Sequence, residues 1–293
     1  LITTPATIER GRLIMPFNLG SRIITNIPLA EYLATVAGNF RTIELHADPR
    51  YLTPHFTYNQ SQKQTLRIYQ ERYQFNFTMH APFVGCRLGS VDPTLRELSY
   101  SKILNCMRLA AELQIKLITF HPTTLDPNLP DHIENHRYEE EAIGRLLNEA
   151  RKLGVKLLIE NMPADPDYHP GTADGSRFQE LLWLFPEPEF GLTLDIGHAL
   201  QANVAIDSLL MMDRVSHFHF HDNDRLLDRH FPITANLTWW GDLIKKISKQ
   251  YPNTTAILEM TQLNDQILSL NNLNQYLKKP IRPKNNKIPK ITI

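Results

Sequence analysis

Eight short apolar runs, each followed by a longer amphipathic stretch, constrain this chain more than any other feature of its sequence. The runs are Leu13–Phe17, Arg41–Leu45, Asn76–Met79, Lys116–Phe120, Val155–Ile159, Gly191–Leu194, Val215–Phe218 and Thr255–Leu258. Helical periodicity marks Leu29–Val36, Gln60–Tyr73, Thr94–Leu113, Tyr138–Leu153, Phe178–Leu184, Ile206–Met212, Trp239–Lys249 and Asn264–Leu277. Gly154 follows the fourth of these as a helix stop. Strands alternating with helices pair in parallel through right-handed crossovers. Eight such units in 293 residues predict a single closed (β/α)8 TIM barrel. An open doubly wound sheet would need a glycine-rich phosphate loop, and no GxGxxG or GxxxxGK[ST] pattern occurs. The barrel is expected over residues 1–277, with 278–293 as a separate Pro-rich tail carrying six Lys or Arg and no acid.

The second constraint is where the ionisable residues fall. The second run ends in Glu44 and His46, the third in His80, the fourth in His121 and the fifth in Glu160. The sixth ends in Asp195 with His198 just beyond, the seventh carries His217, His219, His221 and Asp222, and the eighth ends in Glu259. In a parallel barrel all C-terminal strand ends open onto one mouth, so residues far apart in sequence converge there. A rigid strand that presents one ionisable residue at its tip is suited to holding a ligand atom in place. Imidazole suits zinc, manganese and cobalt, and carboxylate suits magnesium, manganese and zinc. A mixed set without thiolate predicts an open, catalytic divalent-metal site rather than a structural zinc site.

Composition narrows the setting. Lys plus Arg and Asp plus Glu are equal at 31 each, so charge gives no sign of a dedicated nucleic-acid binder. Cys86 and Cys106 form no CxxC pair and no disulfide framework, and no apolar stretch is long enough to span a membrane. A cytoplasmic enzyme is expected.

The ordered motifs HAPF, FHP, IEN, LDIGHA, HFHDND…DRH and LEM resemble the xylose-isomerase-like barrel superfamily. That group includes sugar (phosphate) isomerases and epimerases and the endonuclease IV type of apurinic-site repair enzyme. The resemblance implies one metal held by Glu160, Asp195, His219 and Glu259, with His221 ranked behind His219 because an acid follows it. Glu160 and Glu259 would move a proton next to a substrate carbonyl through a metal-stabilised enediolate. In that reading His198 and Asp222 bind substrate, Glu44 and His46 line the pocket floor or support its ligands, and Arg225 or Arg229 meets a phosphate. The alternative implied by the same resemblance is an abasic-site phosphodiesterase with up to three zinc ions. It would add His80, His121, His198, Asp228 and His230 as ligands, and Phe83 could serve as an aromatic wedge. The isomerase reading takes one manganese, magnesium, cobalt or zinc ion and a small sugar. DNA is a partner only in the alternative, and a homodimer accords with the resemblance. The segment FPITAN after DRH lacks the glycines usual in the isomerase-like branch, so its backbone path is expected to differ. A degenerate, purely binding barrel is disfavoured, because no ligand position is missing.

Overall fold

A computed structural model describes residues 18–24, 26–47, 58–125 and 132–278. The strands are β1 (Asn18–Arg22), β2 (Thr42–His46), β3 (Asn76–His80), β4 (Leu117–Phe120), β5 (Lys156–Glu160), β6 (Phe190–Asp195), β7 (Val215–Phe220) and β8 (Thr255–Leu258). They close into one barrel in chain order, every neighbouring pair parallel. The helices are α1 (Leu29–Val36), α2 (Gln60–Tyr73), α3 (Pro93–Glu112), α4 (Ile133–Leu153), α5 (Pro170–Asp174), α6 (Ser176–Leu184), α7 (Ile196–Gln201), α8 (Ile206–Leu209), α9 (Leu237–Gln250) and α10 (Leu263–Lys278). The expected TIM barrel is thus the fold. None of the described helices is long and apolar enough to cross a membrane.

One strand sits elsewhere than expected. The run Leu13–Phe17 lies outside the described residues, and β1 is the next segment, NLGSR. Apolar patterning could not mark it, since Leu19 is its only large apolar residue. Gly20 explains its fit: a Cβ there would stand 2.6 Å from the Thr42 carbonyl oxygen and 2.5 Å from Ile257 Cδ1. Bare backbone at that position lets β1 close the barrel between β2 and β8. The basic tail beyond Lys278 also lies outside the described residues.

Strand β7 shows how one sequence builds both sides of the wall. In VSHFHF the phenylalanines and histidines alternate, as a strand with two different faces requires. Phe218 packs edge-on against Tyr251 and Phe220 against Trp240 of α9. His217 and His219 point instead to buried carboxylates. The barrel interior is polar at this depth, with Thr119 Oγ1 and Thr193 Oγ1 bonded at 2.8 Å. The apolar core therefore lies mainly between sheet and helices, where Leu157, Ile159, Leu192, Leu194 and Phe120 are fully buried.

The expected ligands lie at the strand ends: Glu160 closes β5, Asp195 closes β6 and His219 is the second-last residue of β7. Glu160, Asp195 and His219 all hold register with a neighbouring strand, Glu160 against Thr193 and Asp195 against His219. Helix α7, which was not expected, begins directly after β6. The Asp195 carboxylate caps it by accepting the His198 N–H at 2.8 Å.

Candidate metal centre

Two groups of ligand atoms meet at Glu160. One carboxylate oxygen lies 3.3 Å from His80 Nε2 and 3.1 Å from His121 Nε2. The other lies 2.6 Å from His219 Nδ1, which also stands 3.2 Å from Glu259 and 3.8 Å from Asp195 Oδ2. A third group surrounds Asp228, whose oxygens lie 3.0 Å from His230 Nε2, 3.4 Å from His198 Nε2 and 3.8 Å from His221 Nε2. His80·His121·Glu160, Glu160·Asp195·His219·Glu259 and His198·His221·Asp228·His230 each have ligand atoms within 4.8 Å of one another. All nine residues that the sequence put forward as metal ligands thus meet at one mouth, as a barrel demands.

The backbone sets how these imidazoles face. His80 Nδ1 lies 2.9 Å from the Ala81 carbonyl oxygen, His198 Nδ1 2.7 Å from that of Asn161 and His230 Nδ1 2.7 Å from that of Glu259. A carbonyl oxygen only accepts, so each Nδ1 carries a hydrogen and each Nε2 is turned into the mouth, where a metal would take its lone pair. This is the support that metal-binding histidines ordinarily receive. His219 is the inverse case: its Nδ1 faces the mouth and its Nε2 meets Glu44 at 3.2 Å. Glu44 also accepts from His217 Nε2 at 3.2 Å and from the Thr78 hydroxyl at 3.2 Å, while His217 Nδ1 is held by Thr255 at 2.6 Å.

Charge gives an independent test of whether a cation fits. Burial alone would raise the pKa of Glu160, but the charge of His219 and hydrogen bonds from His121, His219 and His80 hold it well below the usual carboxylate range. Glu259 is held low in the same way, against its burial, by His219, His230 and Arg22. His219 and His198 are buried, which disfavours their charge. Yet Glu44, Glu160 and Glu259 raise His219, and Asp195 and Asp228 raise His198, well above the ordinary imidazole value. Five carboxylates crowd a small volume, with Arg22 at 3.6 Å from Glu259 as a cationic neighbour. Asp195 Oδ2 and His221 Nε2 are buried without a hydrogen-bond partner. A buried carboxylate oxygen and a buried imidazole nitrogen without partners, each within a cluster of further ligand atoms, suit divalent ions.

A cavity of about 310 Å3 opens above these groups, and its lining includes His46, His80, His121, Glu160, His198 and Glu259. Of the residues expected to meet substrate, His46 and His198 border it. Glu44 does not: it is fully buried beneath His219 and acts as that ring's support. Asp222 is likewise absent from the lining. Its backbone bridges to Phe231 and its carboxylate accepts the Asn223 N–H at 2.9 Å, a local turn that keeps it in the loop. Arg225 and Arg229 also stay out of the cavity, bonded to Asn203 and paired with Asp224 respectively. Phe83 stacks on His121 with centroids 4.7 Å apart, an anchor for the ligand ring instead of a free wedge. In the FPITAN loop, Asn236 adopts a left-handed φ of 49° and the Ile233 N–H donates to Ser269 Oγ.

Reasoning from strand ends missed two supports. Arg22 lay on the unmarked first strand. Asn161 stood in plain view in the IEN motif, where only the glutamate drew attention. Its side chain accepts the Asp195 N–H at 2.7 Å and donates to the Asp195 carbonyl at 2.9 Å, clamping β5 to β6 at the mouth.

Known proteins share this architecture. The family model described as xylose isomerase-like TIM barrel matches residues 33–279. The uncharacterized protein MJ1614 of Methanocaldococcus jannaschii is 24% identical over 214 residues, covering 71% of this chain and 80% of that protein. A D-tagatose 3-epimerase-like protein superposes with a TM-score of 0.78 at 21% identity, covering 89% of this chain and 97% of that one. Endonuclease IV from Thermus thermophilus superposes at 0.66 with 19% identity, covering 90% of this chain and 100% of that one. At these identities the structural likenesses establish the fold and leave the reaction to the site.

Proposed function

The chain belongs to the xylose isomerase-like TIM barrel family, and within it we propose a multinuclear divalent-metal phosphoesterase whose substrate class is a phosphodiester, abasic DNA first among those to test. The observation that carries this reading is the shared Glu160. One oxygen serves the pair His80 and His121 and the other faces His219, so two ligand groups are joined by one carboxylate. A single-metal sugar enzyme has no need of imidazoles gathered in this way. Hydroxyl groups of a sugar would be met by separate donors and acceptors spread along the pocket, not by three rings gathered on one carboxylate.

Zinc or a similar ion held by Glu160, Asp195, His219 and Glu259, with others at the flanking groups, would supply a nucleophile from water at neutral pH and offset charge on phosphoryl oxygens. The protein's own residues prepare the setting. Asn161 fixes Asp195, Glu44 fixes His219, and the Ala81 carbonyl fixes His80. Tyr168 stands with its hydroxyl 3.4 Å from His121 Nδ1 and, with Phe83, forms an apolar wall that limits water around the reacting groups. Arg22 offsets the charge of Glu259, so that this carboxylate can remain ionised while buried.

A second reading, a ketose epimerase or aldose–ketose isomerase, has one specific observation in its favour. Glu160 and Glu259 both approach His219 Nδ1, at 2.6 and 3.2 Å, from opposite strands of the mouth. Two carboxylates so placed suit proton removal and return beside a carbonyl.

Metal analysis of the purified chain together with incision of an oligonucleotide bearing one abasic site separates the two. The phosphoesterase reading expects about three zinc ions per chain and cleavage beside the lesion. About one manganese, magnesium or cobalt ion with epimerisation of a ketose, and no incision, would overturn it. Glu259→Gln should abolish turnover in either case while leaving the barrel folded.

A further inference from the structure

The three ligand groups are not equivalent. The other two groups share Glu160, whereas the group around Asp228 has four residues of its own, because His221 joins His198 and His230. The family resemblance supplies only His198, Asp228 and His230 at this place. His221 comes from the run HFHFHDND, in which His217 and His219 fall on the inward phase of β7 and His221 follows directly after the strand.

His221 is seated as a ligand would be. It is fully buried, and its ring lies on bare Gly197, where any Cβ would overlap it. It stacks on His230 with centroids 3.9 Å apart and planes 13° from parallel. Its Nδ1 lies 3.3 Å from the Asp222 carbonyl oxygen, so the hydrogen sits there and Nε2 carries the lone pair. That lone pair points at oxygen: Asp195 Oδ1 at 3.1 Å and Asp228 Oδ1 at 3.8 Å, without hydrogen-bond geometry to either. The three histidines of this group thus share one arrangement, Nδ1 on a backbone carbonyl and Nε2 turned toward Asp228. His198 and His230 reach Asp228 through Nε2 at 3.4 and 3.0 Å, but His221 Nε2 is buried against Asp195 and Asp228 with no hydrogen-bond partner, the place of a ligand atom with a cation between.

We infer that His221 closes this group into a four-ligand His3Asp site that retains its ion for structure, leaving substrate to the two groups that share Glu160. The inference rests on the multinuclear reading above. Four unshared protein ligands complete the tetrahedral shell of zinc, and such closed sites are structural, whereas the ions of the other two groups would have Glu160 in common and so keep a position open. The retained ion would tie α7, through His198, to the loop carrying Asp228 and His230, and so brace one rim of the mouth.

The test is a chelator chase of zinc-saturated protein, wild type against His221→Ala, with bound metal counted at intervals. Wild type should keep one ion per chain long after the others leave, with release slower by about tenfold or more, and His221→Ala should lose that difference. Equal release of all ions from wild type, or a retained ion unchanged in His221→Ala, overturns the inference while leaving a multinuclear count intact. A saturated protein that holds about one ion sinks the underlying reading instead. Should the variant not fold, one-bond coupling between 113Cd and imidazole 15N in wild type decides the matter. Coupling of one cadmium to Nε2 of His198, His221 and His230 supports the site, and coupling to only two of these rings refutes it.

Discussion

Replacing Glu44 by leucine puts the role of the buried support beneath His219 at risk. Glu44 is fully buried and is the acceptor for His217 Nε2, His219 Nε2 and the Thr78 hydroxyl. Leucine fills much of the same volume and removes the acceptor for all three. Each buried donor left without a partner costs about 1–3 kcal/mol. Removal of a buried charge returns part of that sum, so a net loss of about 3 kcal/mol is expected, near the lower figure for breaking a buried ion pair from one side. The functional effect runs through the ring. Without Glu44, His219 can place its hydrogen on Nδ1 and donate to Glu160 at 2.6 Å, which removes the lone pair from the mouth. Metal affinity of the central group should then fall by about 10–100-fold, the usual cost of losing such a support. Glu44→Gln is the control. Its amide oxygen can still accept from His219, while His217 reverses its tautomer, because Thr255 Oγ1 can donate as well as accept. Urea unfolding of the metal-free proteins gives the stability change, and competition with a chromophoric chelator gives the affinity. Wild-type affinity in Glu44→Leu would refute the claim that this carboxylate sets the ring.

Other expectations follow from features away from the mouth. Arg177→Met should cost about 3–5 kcal/mol in chemical denaturation, because Arg177 is the buried partner of Glu139 at 3.2 Å and the carboxylate would be left in the interior. Burial already raises Glu139 above the ordinary value, so the variant should regain stability as pH falls and Glu139 takes up a proton. A deficit that stays constant with pH would count against this account. His136 is half-buried, and burial, with Arg177 and His169 nearby, lowers it to about 4. The unfolded chain therefore binds this proton first, and stability should decline as pH falls from about 6.5 through 4. After screening the loss should not exceed about 2 kcal/mol, and His136→Gln should flatten that part of the stability–pH curve. Gly197→Ala should cost about 1–3 kcal/mol by overpacking and displace His221, measured as a lower melting temperature with faster release of the retained ion.

In the reading that the family resemblance implies, endonuclease-type and epimerase-type chemistry would both begin with Glu160, Asp195, His219 and Glu259. What parts them is whether flanking imidazoles are free to meet a substrate or are gathered around a carboxylate. Here His80 and His121 both turn to Glu160, and His198 and His230 both turn to Asp228.

The sequence by itself determined the barrel and which strand-end ligand types converge at its mouth. Alternation of period 2 in segments such as VSHFHF, and apolar runs tipped by Glu160, Asp195 and Glu259, follow from local rules of burial and strand geometry. Those rules need no knowledge of what lies opposite. They fail where a neighbour decides: at NLGSR, which is a strand because Gly20 admits β2 and β8, and at Asn161, whose value lies in its grip on Asp195. Tertiary structure also separated residues that look alike in the chain. His217 and His219 share the inward phase of β7 and His221 follows directly after it, yet the first braces Glu44, the second faces Glu160 and the third joins Asp228. Height along the barrel axis assigns those roles. It is fixed by strand register and closure, a relation among eight segments that no single stretch of sequence records.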